Sequence, residues 1–229
     1  MEMVAGTYDL LAVAPGFGHQ RLSTVAKAGR NGYLDLRMSR NLVSTASGAT
    51  ITGDGVNLDR VADDTEATNW ASLDGVAGRQ LTVALPGSAP QTVKRVNVSA
   101  MLRPAITGDA DTGTQNTLSA LRSFAVSACD ATTTDCADPA RWQRIYTSAG
   151  DAFPGGAYRA YVRDINLRTF AVPTTLATHL RLEVLASQCT GGPQYAGEQD
   201  DDPATTTDCA TASPARSQVR IAEFQAFSK

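Results

Sequence analysis

Residues 6–14 carry apolar side chains at Tyr8, Leu10, Ala12 and Ala14, and this period of two predicts an extended strand. Pro15-Gly16-Phe17-Gly18 then predicts a turn, and residues 22–26 and 33–38 are further short strand candidates. From Asn41 onward the pattern becomes regular. Strands are predicted over 79–85, 93–102, 121–128, 142–147, 161–170, 178–186 and 218–227. In the second of these, Val96, Val98, Ala100 and Leu102 alternate with Asn97, Ser99 and Met101, which predicts one buried face and one mostly wet face. Leu180, Leu182, Val184 and Ala186 repeat the pattern with Arg181 and Glu183 opposite. Turn-rich stretches such as residues 85–90 and 153–156 separate the strands, and no helical period is sustained. Seven or more strands with irregular loops predict an all-β protein, a jelly-roll β-sandwich over residues 41–229 with a short N-terminal β appendage over residues 1–40.

Composition narrows the class. The 229 residues are 42% hydrophobic, enough for a real core, and no apolar stretch approaches the roughly 18 residues of a membrane span. A net charge of -3 argues against nucleic acid as a partner. The segment Leu10-Leu11-Ala12-Val13-Ala14 is too short for the apolar region of a signal peptide, and Met1-Glu2-Met3 reads as an arbitrary start, so the chain is expected to be a piece of a longer secreted protein.

Four cysteines, Cys129, Cys136, Cys189 and Cys209, lack the CxxC spacing and nearby histidines of a zinc site. Three pairings are open. Neighbour pairing is favoured because each pair closes a local polar loop, adding about 2.5 and about 3.3 kcal/mol in the chain-entropy model. Paired cysteines predict an oxidising, extracellular setting.

The phrase GTYDLLAVAPGFG is similar to the closing hairpin of carboxypeptidase-regulatory-like and other small immunoglobulin-like modules, of which only a fragment would be present. Farther on, Asn41-Leu42-Val43-Ser44-Thr45-Ala46-Ser47, the loop VADDTEATNW at 61–70 and Ile221-Ala222-Glu223-Phe224-Gln225-Ala226-Phe227 together resemble the discoidin family, the coagulation factor 5/8 type C domains of galactose-binding-like fold. Asp64 stands where that family usually has Gly, so the turn there must accept a side chain. The phrases GDGVNLDRVADDTEATNW, GDADTGTQNTLSALRSF and SPARSQVRIAEFQAF look like the C-terminal accessory region of bacterial secreted metallopeptidases of the fungalysin (M36) type. The HExxH zinc motif of that peptidase is absent, so the resemblance implies a non-catalytic tail attached to a parent peptidase.

The resemblance also implies a structural calcium ion. It assigns Asp63 as a side-chain ligand, Thr65 through its carbonyl, Thr68 through carbonyl and hydroxyl, and Glu223 through its carboxylate, with carbonyls from Val61 and Ala222. Calcium takes six to eight such hard oxygens. Independently, Glu223 lies in phase with Val219 and Ile221, and an unpaired carboxylate turned inward needs a cation or donors. Pairing with Arg60 or Arg220, or a bulge turning the side chain to water, would answer the same need. Asp63 and Asp64 also suit plain turn and capping roles, and Trp70 suits a packing anchor under the loop. The acidic run Glu198, Asp200, Asp201 and Asp202 reads as a solvated loop tip.

No catalytic constellation emerges. His19 and His179 lie on unrelated segments, and no nucleophile elbow or phosphate-binding glycine pattern follows a strand. The sequence therefore predicts a non-enzymatic, calcium-stabilised module that binds glycans or another extracellular surface through loops at one end of the sandwich. Arg103, Asn116, Trp142 and Tyr195 are the ligand-contact candidates. A purely structural or protein-contact tail is the competing reading. The sequon Asn97-Val98-Ser99 falls in a strand, where modification is not expected.

Overall fold

The computed structural model describes residues 4–29, 34–100, 117–153, 167–190, 209 and 214–229. Among these, regular structure consists of short 3-10 turns and the strands β1 (Gly6–Ala12), β2 (Gln20–Ala26), β3 (Thr50–Gly53), β4 (Trp70–Ser72), β5 (Gln80–Ala84), β6 (Gln91–Ser99), β7 (Leu121–Cys129), β8 (Gln143–Thr147), β9 (Leu167–Ala177), β10 (His179–Ser187), β11 (Val219–Ile221) and β12 (Glu223–Phe227). One antiparallel sheet has the order β3-β5-β10-β7-β8 and faces a second of order β12-β6-β9. The pairs β11-β4 and β1-β2 complete an all-β jelly-roll sandwich with a separate N-terminal hairpin.

Period-two alternation builds the interior. Leu180, Leu182 and Val184 of β10, Leu81 and Val83 of β5, and Phe124 and Val126 of β7 meet Val96 and Val98 of β6 and Phe224 and Ala226 of β12. Phe224 pairs with Val98 and Ala226 with Val96 across the strands. An aromatic knot reinforces this layer: the Phe124 ring lies 5.0 Å from Phe170, 5.8 Å from Tyr146 and 6.2 Å from Phe153. Burial of such rings stabilises by more than their area alone, because tilted and edge-on contacts satisfy their quadrupoles.

Four sequence expectations change. Asn97 and Ser99 are buried, not wet, because the back of β6 carries a polar row in register with Gln225 and Glu223 of β12. Asn97 Nδ2 donates to Gln225 Oε1 at 3.3 Å, and Ser99 Oγ donates to Glu66 from the loop lying over that row. The expected strand over 218–227 breaks at Ala222, whose N–H bonds the Ser99 carbonyl, so β11 pairs with β4 while β12 pairs with β6. Of the strand expected over 33–38, residue 33 lies outside the described residues and residues 34–38 form no strand, since the alternation there finds no partner, and Leu34 and Leu36 are exposed. Strand β9 runs on through Pro173 to Ala177, with a register shift against β6 between Val93 and Arg95. Both disulfides join neighbours, Cys129 to Cys136 and Cys189 to Cys209.

Candidate functional site

The loop expected to hold a cation lies between a 3-10 turn (Leu58–Val61) and β4. Asp64 occupies it with φ 62°, the left-handed region that glycine usually fills. Trp70 is fully buried beneath the loop, and its Nε1 donates to the Asp54 carbonyl at 2.7 Å, as expected of a packing anchor.

Two carboxylates define the chemistry. Asp63 Oδ2 accepts from Thr68 Oγ1 at 2.6 Å, while Asp63 Oδ1 is buried without a hydrogen-bond partner. Glu223 is fully buried; its Oε1 accepts from Gln225 Nε2 at 3.3 Å, and its Oε2 is buried without a partner. Arg220 does not rescue Glu223: its Nη1 donates to Ser119 Oγ at 2.8 Å. Burial holds the Asp63 carboxyl above the usual range, against the hydrogen bonds from Thr68 and the Thr65 backbone. Glu223 is pushed well above that range by burial first, then by the negative charges of Asp63, Asp64 and Glu66. Asp63, Asp64 and Glu66 are thus near enough to Glu223 for their charges to bear on it. The Thr68 hydroxyl also donates to the Arg60 carbonyl at 3.4 Å.

Among the described residues no three His, Cys, Asp or Glu side chains gather tightly enough to form a metal cluster on their own. Any cation here would therefore lean on carbonyls and hydroxyls as well as Asp63 and Glu223, a donor set that suits a hard ion.

Of the four ligand-contact candidates, Arg103, Asn116 and Tyr195 lie outside the described residues, as does the acidic run 198–202. Trp142 does not open β8 but caps the preceding turn (Pro139–Arg141). It stands at the margin of the solvent face of the five-stranded sheet. Its Nε1 donates to the Cys136 carbonyl at 2.9 Å, so the disulfide loop fixes the indole. The His179 ring meets it edge-on at 6.5 Å, and the Arg181 guanidinium lies 3.9 Å from the ring centre. Trp142 and His179 wall a groove of about 290 Å³ lined also by Thr50, Thr52, Thr82, Ala84, Cys136 and Ala137. His179 was legible at the start of an alternating strand, whereas Thr50 and Thr52 lie on the short β3, which the sequence did not predict. The convergence of these residues on Trp142 depends on β3 pairing with β5 and on the disulfide loop.

His179 Nδ1 contacts the Thr178 hydroxyl at 2.9 Å, and His19 Nε2 contacts the Asp64 carbonyl at 2.6 Å.

No protein-family model matches the chain, and no curated protein matches it. Solved structures do. A Clostridium perfringens module, CpGH89CBM32-5 in complex with GalNAc-beta-1,3-galactose, aligns over 82% of this chain and 99% of its own with 14% identity and a TM-score of 0.44. A chitosan-binding module from the chitosanase/glucanase of Paenibacillus sp. IK-5 aligns over 82% and 98% with 18% identity and a TM-score of 0.46. The CBM32 of AlyQ in complex with 4,5-unsaturated mannuronic acid aligns over 84% and 100% with 15% identity and a TM-score of 0.44. Likeness at this level bears on no residue's role.

Proposed function

We propose that the chain is a non-catalytic accessory module of a secreted enzyme, that a calcium ion stabilises it, and that it binds glycans in the Trp142 groove. The observation that carries the binding reading is the groove itself. A fixed indole, an imidazole and three threonine hydroxyls face one cavity on a rigid sheet, pairing an apolar surface with hydroxyl-matching donors and acceptors. At about 290 Å³ the groove is at the lower end of small-molecule sites and suits one or two sugar rings. The parent enzyme is a metallopeptidase on this reading, a role that rests on the sequence phrases alone.

The calcium part is supported by the two buried oxygens, Asp63 Oδ1 and Glu223 Oε2, that lack donors. Bound there, calcium supplies positive charge to carboxylates whose burial otherwise opposes ionisation. Asp63 and Glu223 would hold it with the Thr68 hydroxyl and carbonyls of Val61, Thr65, Thr68 and Ala222.

One contact favours a second reading, a purely structural or protein-contact tail. Arg181 already covers one face of the Trp142 ring, so the indole has a packing partner of its own. A glycan array followed by titration calorimetry separates the two. Saturable binding that Trp142→Ala weakens at least about tenfold supports the glycan site. Absence of saturable binding leaves the structural tail.

A further inference from the structure

The turn of the N-terminal hairpin does not hang free; it is seated on the same loop that carries Asp63. Gly16 and Gly18 are buried although Phe17 between them is exposed. The Gly16 N–H donates to Asp64 Oδ2 at 2.7 Å, across 48 residues of sequence, and His19 Nε2 meets the Asp64 carbonyl at 2.6 Å. The Asp64 carboxylate also accepts from Asn41 Nδ2 at 2.9 Å and from the Ser44 hydroxyl. The Gly16 carbonyl in turn accepts from the Asn41 N–H at 2.9 Å. On the far side, Gly18 lies so close to Phe227 that a Cβ would come within 2.4 Å of the ring.

Asp64 is thus a single buried acceptor satisfied jointly by the hairpin turn and the opening of the sandwich. It also sits between Asp63 and Thr65, two proposed cation donors. A loop with Asp64 anchored presents both neighbours in one geometry, while a loop released from the hairpin is freer to shift them. We propose that Asp64 docks the N-terminal hairpin onto the cation loop, so that seating the hairpin and filling the cation site favour one another. The docking stands on the hydrogen bonds alone; the coupling rests on the calcium reading. Reciprocity is required: if calcium tightens docking by some factor, docking tightens calcium by the same factor.

The test compares the whole chain with Asp64→Gly, which keeps the left-handed backbone and removes only the carboxylate. Hydrogen exchange is followed with calcium chloride and with chelator, and calcium affinity is measured by calorimetry. The expected result is exchange at residues 16–19 at least about fivefold faster in Asp64→Gly, with β7 and β10 unchanged. Wild-type protection there should rise with calcium, and the variant should bind calcium more weakly by the matching factor. Gly18→Ala, which disturbs the seat from the Phe227 side, should release the same residues. Unchanged exchange at residues 16–19 in Asp64→Gly overturns the docking. Calcium binding with no effect on hairpin protection overturns the coupling. A wild-type chain that binds no calcium overturns both the calcium reading and the coupling, and the variant's behaviour in chelator then decides the docking by itself.

Discussion

Glu223 shows how one position can demand a partner. It is fully buried, one oxygen has only a long bond from Gln225, and three other carboxylates bear on it. Charged and without a cation it costs stability, because desolvation is not repaid. Glu223→Gln should therefore melt at or above the wild type in chelator, yet gain nothing from calcium that raises the wild-type melting temperature. Differential scanning calorimetry of both proteins with and without the ion reads this directly; equal calcium gains would remove Glu223 from the site. Gly55 makes a different demand. Its φ is 85°, and a Cβ would lie 2.3 Å from the Ala71 carbonyl oxygen. Gly55→Ala should cost about 2 kcal/mol or more, measured by urea unfolding, since strain and a backbone clash add. Neither Gly55 nor the docking use of Asp64 could be read in sequence. Both depend on backbone torsion and on partners far along the chain.

Strands that pack in long alternation were legible. β10 alternates buried and outward residues from His179 to Ala186, and β7 was predicted as a strand over 121–128, although the burial of its Arg122, Ser123 and Ser127 was not. The short strands β3 and β4 were not, because four and three residues give too little pattern and their placement comes from β5 and β11. The residue types of the cation loop were visible, whereas the groove had to wait for the disulfide loop to bring Trp142 over the threonines. That loop carries its own prediction. Replacing Cys129 and Cys136 together with alanine should lower stability by about 2.5 kcal/mol on loop-closure grounds and free the indole, read by denaturant unfolding and by the tryptophan emission spectrum. An unshifted spectrum would mean that Arg181 and His179 hold Trp142 without help.

Taken as a unit, the molecule keeps its main hydrophobic cluster entirely at or beyond Leu42 among the described residues. The hairpin is a two-stranded ribbon whose Leu11, Val13 and Val25 are exposed, and such ribbons are marginal alone. A chain cut to residues 41–229 should thus still fold cooperatively, but at a lower melting temperature, because Asp64 loses the Gly16 donor. Circular dichroism melts of the two lengths check this; a truncated chain that never folds would make the hairpin part of the sandwich's own core.

The switch at Ala222 reaches into the making of the protein. Strand β6 is synthesised early, yet the neighbour that covers one of its edges, β12, emerges late in the chain. Until then that edge offers open peptide groups to any passing strand, an aggregation hazard for a chain still incomplete. The yield of such a chain should respond more to a holding chaperone than to any gain in the finished fold.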